Sequence, residues 1–135
     1  MTVTADMAIS LHGYVAGTGV PPFRTPVFVL THRPRPTLVK EGGTTFVYVT
    51  DGIHSALERA KAAAGDRNVD IAGGASTVRQ YLGEGLIDEL QLHVVPALLG
   101  AGLRLFEGVG AGGRSLKRVR VVDTPLATHL KYRFV

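Results

Sequence analysis

The sequence predicts an α/β fold: a mixed, mostly parallel sheet with helices on its faces and an antiparallel hairpin at its end. Three observations carry this. PVFVLT (26–31) and TTFVYVT (44–50) are short apolar runs rich in β-branched residues, the pattern of covered strands. IHSALERAKAAA (53–64) and ASTVRQYL (75–82) have helical periodicity and stand between strands, which favours parallel neighbours with right-handed crossovers. The segments 116–123 and 127–135 pair as a hairpin around Asp123-Thr124-Pro125, the second alternating Leu130, Tyr132 and Phe134 with Lys131 and Arg133.

The elements follow in order. VTADMAISL (3–11) reads as a buried strand ending at His12-Gly13. Tyr14-Val15-Ala16 then enters a loop punctuated by Gly17, Gly19, Pro21 and Pro22. Pro34 and Pro36 stop the 26–31 strand, and Gly42-Gly43 introduces the next. Asp51 is placed to cap the helix 53–64, whose Ile53, Ala56, Leu57, Ala60 and Ala64 share one face. Gly65 ends that helix. A strand at 69–72 runs through Gly73-Gly74 into the helix 75–82, with Val78, Tyr81 and Leu82 on one face and Gly83 and Gly85 beyond. DELQLHVV (88–95) alternates Leu90, Leu92 and Val94 with Glu89, Gln91 and His93, until Pro96 breaks it. Residues 98–106 read as a glycine-rich loop with a short apolar segment.

Composition narrows the function. A chain of 135 residues with 45% apolar content suits one domain, 1–135, burying about two thirds of the surface its unfolded chain exposes. Met1 to Ala8 holds Asp6 and no Lys or Arg, so no signal peptide is expected, and no apolar run is long enough to span a membrane. Zero cysteines exclude disulfides and thiolate metal sites and leave the cytoplasm as the default compartment. The net charge of +4 gathers at Arg24 to Lys40 and at Arg114 to Arg120 with Lys131 and Arg133. No nucleic-acid motif accompanies it, and a modest positive excess suits a multiply phosphorylated small molecule. The five histidines, His12, His32, His54, His93 and His129, lack metal-ligand spacing, so no metal is expected. No Gly-x-Ser-x-Gly elbow supports a hydrolase.

The stretch NVDIAGGASTVRQYL carries the chemistry. A helix N-terminus holds about half a positive charge and several unpaired N–H groups, and two glycines let a ligand approach the backbone. The turn falls at the carboxyl edge of a strand, where open α/β sheets bind ligands. Gly73, Gly74, Ala75, Ser76 and Thr77 therefore form a candidate phosphate seat, with no carboxylate to repel an anion. The plainer reading is a tight strand-to-helix turn. Thr31-His32-Arg33, with Arg35 close by, is a second anion candidate at the end of a strand, and Arg33 can grip a phosphate with two parallel hydrogen bonds. A solvated basic loop is its alternative.

MAISLHGYVAG, PVFVLTHRP, DIAGGASTVRQYL and LIDELQLHVVPALLGAGLRLF resemble the dihydrofolate-reductase-like family. They look most like the reductase domain of bacterial riboflavin-biosynthesis deaminase-reductases and its stand-alone relatives. The resemblance covers most of the chain and is most specific over 71–106. It implies a three-layer α/β sandwich and NADPH as hydride donor. It places the cofactor pyrophosphate at Gly73, Gly74, Ala75, Ser76 and Thr77, the 2′-phosphate at Thr31, His32 and Arg33, and the nicotinamide along Ala8, Val15 and Ala16. It implies reduction of a pyrimidine or pteridine-like heterocycle.

Two departures stand out. His12 occupies a position where the family usually has Asp, which makes it the candidate substrate contact. Histidine can still serve as an acid near neutral pH. Where the family has a helix, a strand with a Gly-Arg-x-Thr/Met type turn and a second helix, only the nine residues GTGVPPFRT join Ala16 to Pro26. Nine residues reach at most about 30 Å and cannot hold those elements. Either the chain is naturally trimmed there, or a segment is missing from the sequence. A trimmed sheet exposes apolar surface, which a partner chain would cover.

Three readings follow: an NADPH-dependent reductase of a small heterocycle, a non-catalytic dimeric remnant of the same fold, and a nucleic-acid binder resting on charge alone. The first is the expectation, as a cytoplasmic homodimer without nucleic-acid or membrane partners.

Overall fold

A computed structural model describes residues 2–9, 14–15, 25–39, 45–99, 101–107 and 114–135. The chain forms two compact units, one made of residues 19–69 and the other of residues 2–18 and 70–135.

The first unit holds β3 (Val27–Leu30), β4 (Leu38–Val39), β5 (Thr45–Val49) and α1 (Ile53–Ala64). Its sheet runs β3-β5-β4, with β3 parallel to β5 and β4 antiparallel to it. The helix has the sequence-predicted bounds because its apolar positions recur at helical spacing and bury Ala56 and Leu57. It packs on β3. Its cap differs from expectation. The N-cap is Gly52, at φ 98°, with no side-chain hydrogen bond, and Asp51 stands exposed one residue earlier. The left-handed turn at Gly52 takes Asp51 out of capping position. Gly65, at φ 64°, ends the helix as expected, its N–H donating to the Lys61 carbonyl.

The second unit holds β1 (Val3–Ile9), β2 (Tyr14–Val15), α2 (Ala75–Gly83), β7 (Glu89–Val94), β8 (Leu103–Arg104), β9 (Leu116–Asp123) and β10 (Thr128–Phe134). The strand β6 (Val69–Ile71), where the chain passes between units, pairs with β1. The remaining order is β8-β2-β1-β7-β10-β9. β1 and β7 run parallel, in register from Thr4↔Glu89 to Ile9↔Val94. β10 is antiparallel to β7 and to β9, so the C-terminal hairpin lies at the sheet's end.

Pleating sorts the side chains of this sheet. Val3, Ala5 and Met7 of β1 and Leu90 and Leu92 of β7 are buried, as the alternation in the sequence requires. Val78, Tyr81 and Leu82 of α2 are buried with Ala75, and Ile87 and Leu105 complete the core. Each buried Val, Leu, Ile or Met side chain contributes about 1.5–3 kcal/mol by leaving water.

The mixed α/β class and the terminal hairpin stand. The balance of strand directions shifts toward antiparallel. Among the described residues β1·β7 and β3·β5 pair in parallel, whereas β1·β2, β2·β8, β4·β5, β7·β10 and β9·β10 are antiparallel. Three of the antiparallel pairings involve β2, β4 or β8, two-residue strands inside segments that read as loops. Ladders this short have no periodicity to detect. No described helix is long and apolar enough to cross a membrane.

Candidate functional site

The candidate site begins where β6 hands the chain to α2. Gly73 has φ 130°, a conformation side chains rarely adopt, so the turn requires glycine there. A Cβ on Gly73 would stand 3.7 Å from the Met7 sulfur, an ordinary contact that sets the turn beside β1. The Gly73–Gly74 peptide is cis. Gly74 is the N-cap of α2, with φ −73° and ψ −169°, and its carbonyl accepts the first helical bond, from Val78 N–H at 3.0 Å.

The helix start is bare. No side chain caps it, and its first turn holds no acidic residue. Gly74 and Ser76 are exposed, Gly73 and Thr77 are half-buried, and Ala75 is turned into the core. Among the described residues a Cβ built on Gly74 would meet nothing within 4 Å, so a methyl group has room there. An uncapped N-terminus presents N–H groups and a partial positive charge to whatever occupies that space. A pyrophosphate fits this chemistry, and so do the hydroxyls of Ser76 and Thr77.

β1 is the second component. Ala8 follows Met7, the residue nearest Gly73, and is the register partner of His93 on β7. Val15 pairs with Ile9 across the β1·β2 ladder. Within this unit, therefore, the glycine turn, Ala8 and Val15 are gathered around the carboxyl end of β1. Tyr14 and Val15, which read as loop, form a strand between β1 and β8. His12 and Ala16 lie outside the described residues, as does most of the 17–25 segment.

The Thr31–Arg33 candidate belongs to the other unit. Thr31 N–H donates to the Val49 carbonyl at 3.1 Å, which fixes the loop to the end of β5. The Thr31 hydroxyl accepts from Arg33 N–H at 3.1 Å, a local turn that leaves His32 and Arg33 exposed. Arg35 lies 5.9 Å from the Tyr48 ring centroid, within cation–π range. The loop thus keeps the Arg33 guanidinium in solvent, where an anion can reach it.

Two features of the second unit escaped sequence reading. His93 and His129 face each other across β7 and β10. Four residues before His93 on β7, Glu89 is ion-paired to Lys131 at 3.0 Å and Arg133 at 3.2 Å. The hydrogen bond from Lys131, reinforced by Arg133, holds the Glu89 carboxyl below its ordinary value against the opposing effect of desolvation. Both groupings depend on strand register, which local sequence does not state.

Comparison with known proteins agrees with the fold. The RibD C-terminal domain model matches residues 20–129. A Shewanella sp. PV-4 protein provisionally ascribed to riboflavin biosynthesis superposes with a TM-score of 0.78 at 20% identity, covering 100% of this chain and 99% of that one. Riboflavin biosynthesis reductase Rib7 of Saccharomyces cerevisiae gives 0.65 at 16% identity, covering 99% and 88%. YwjB of Bacillus subtilis, an uncharacterized protein, is 37% identical over 59 residues, which are 44% of this chain and about a third (33%) of YwjB. With more than four fifths of its length matched by one family model, the chain belongs to the RibD C-terminal domain family.

Proposed function

We propose that the protein is an NADPH-dependent reductase acting on a small heterocycle, pyrimidine or pteridine-like, of the kind met in riboflavin biosynthesis. One observation carries the reading: the uncapped N-terminus of α2, with no acidic residue in its first turn, borders β1 at Met7, beside Ala8. Family membership supports it, and the relatives named as riboflavin-pathway proteins point the same way.

In this reading the amides of Gly73, Gly74, Ala75, Ser76 and Thr77 hold the cofactor pyrophosphate. Thr31, His32 and Arg33 take the 2′-phosphate, with Arg33 supplying the charge that prefers NADPH to NADH. Ala8, Val15 and Ala16 line the nicotinamide, and His12 meets the substrate. The cofactor, when bound, supplies a hydride from its nicotinamide C4. The protein's own work is to orient the two reactants and to neutralise phosphate charge at a helix whose first turn holds no acidic residue. A cytoplasmic homodimer completes the proposal. Its support is the exposed apolar side chains of the edge strand β9, Leu116, Val119, Val121 and Val122.

Thermal melting with added nucleotide tests the reading. NADPH at millimolar concentration should raise Tm, NADH should raise it less, and Arg33→Ala should reduce the difference between them. No shift with NADPH would remove the cofactor assignment.

A further inference from the structure

His93 and His129 are separated along the chain by 36 residues and stand directly opposite each other in the β7·β10 ladder. Their Nδ1 atoms lie 2.5 Å apart, and the rings meet edge to face with centroids 4.8 Å apart. Both side chains are half-buried. The ladder continues in register on either side, through Thr128↔Val94 and Leu130↔Leu92, so the backbone holds the two imidazoles in place.

We propose that His93 and His129 form a two-histidine site for a borderline divalent metal ion, Zn²⁺, Ni²⁺ or Cu²⁺. Neutral imidazole nitrogen is a preferred donor for these ions, at about 2.0–2.1 Å. At a tetrahedral ion two such bonds set the nitrogens about 3.3 Å apart. Metal binding would require both rings to turn enough to open the gap that far, while the β7·β10 ladder keeps its register. The protons balance. In the neutral pair one Nδ1 donates and the other accepts. On metal binding the donor ring carries its proton on Nε2 instead, and no proton is released.

Among the described residues no third His, Asp or Glu joins the pair. The nearest carboxylate along β7, Glu89, is already held by Lys131 and Arg133. Two protein ligands give weaker binding than a closed four-ligand site and leave coordination positions open to an external donor. The charged groups along the hairpin and the adjoining β7 are Lys131 and Arg133 on β10, Glu89 on β7, and Lys117, Arg118, Arg120 and Asp123 on β9, with Asp123 accepting from the Thr128 hydroxyl at 3.3 Å. Their cationic excess opposes a metal ion and keeps the binding weak.

The site owes nothing to the cofactor reading and survives its failure. Calorimetric titration of the full chain with ZnCl₂ at pH 7.5 should give one site. Either His93→Gln or His129→Gln should weaken it at least tenfold. Absence of a single site in the wild type, or undiminished binding in both variants, overturns the proposal. Should a variant fail to fold by circular dichroism, the wild-type imidazole ¹H–¹⁵N spectrum decides. Zn²⁺ should move the signals of His93 and His129, and movement confined to His32 or His54 overturns the proposal.

Discussion

Asp88 and Val3 hold each other through two hydrogen bonds. The Val3 carbonyl accepts from Asp88 N–H at 2.8 Å, and the Asp88 carboxylate accepts from Val3 N–H at 2.9 Å. The Asp88 carbonyl accepts in turn from Phe134 N–H at 3.1 Å. One residue just before β7 thus ties together the starts of β1 and β7 and the end of β10. Asp88→Ala should cost about 1–2 kcal/mol, because it strips the Val3 N–H of its charge-assisted partner. Asp88→Asn should cost less, since an amide oxygen still accepts. Urea unfolding of the three proteins measures both.

The cluster around Glu89 sets a pH dependence. Its carboxyl is held below its ordinary value, so it binds fewer protons folded than unfolded. The stabilisation is complete above the ordinary carboxylate value, about pH 4.3, and disappears as pH falls through the lowered one. Lys131 and Arg133 are 32% and 60% exposed against 12% for Glu89, and solvent screening keeps the contribution under about 1 kcal/mol. Unfolding of Glu89→Gln and wild type should therefore differ at pH 7 and converge near pH 3.

Arg114 closes the far end of α2. Its Nη1 donates to the Leu82 carbonyl at 3.0 Å while the guanidinium stacks 4.3 Å from the Phe134 ring centroid. Planarity serves both contacts at once, which an ammonium cannot. Arg114→Lys should therefore lose nearly as much as Arg114→Ala, about 1 kcal/mol in each case, read as a drop in Tm of a few degrees. Full rescue by lysine would show that charge alone matters.

The two glycines of the turn should separate stability from binding. Gly73→Ala forces a side chain into φ 130° and should destabilise the fold by about 1–3 kcal/mol. Gly74→Ala adds a methyl group that touches no protein atom and should leave stability within about 0.5 kcal/mol of wild type. The same methyl group stands where the proposed pyrophosphate approaches, and should weaken NADPH binding severalfold. Paired melting and nucleotide-titration curves check both halves.

Much of this fold is legible in the sequence where periodicity is strong. The bounds of α1 follow from Ile53, Ala56, Leu57, Ala60 and Ala64, and the buried face of β7 follows from Leu90 and Leu92. The glycine turn was legible because Gly73-Gly74 punctuates a strand and a helix, and its bareness because no Asp or Glu follows. What stayed hidden depends on distant partners. β2, β4 and β8 exist only because another strand lies beside them. His129 reads as a surface residue until the order β7-β10-β9 brings it against His93. Asp88 reads as a strand-start residue until Val3 is placed beside it. Asp51 suits a cap by residue type and is displaced by the turn at Gly52.

Ser76→Asp tests the central claim most directly. The side chain is exposed in the first turn of α2, where a carboxylate complements the helix dipole and should hold or raise Tm without ligand by about 0.3–1 kcal/mol of stability. If those amides seat a pyrophosphate, the same carboxylate repels it, and calorimetric titration should show NADPH affinity reduced at least tenfold. Equal NADPH affinity in variant and wild type would contradict the claim.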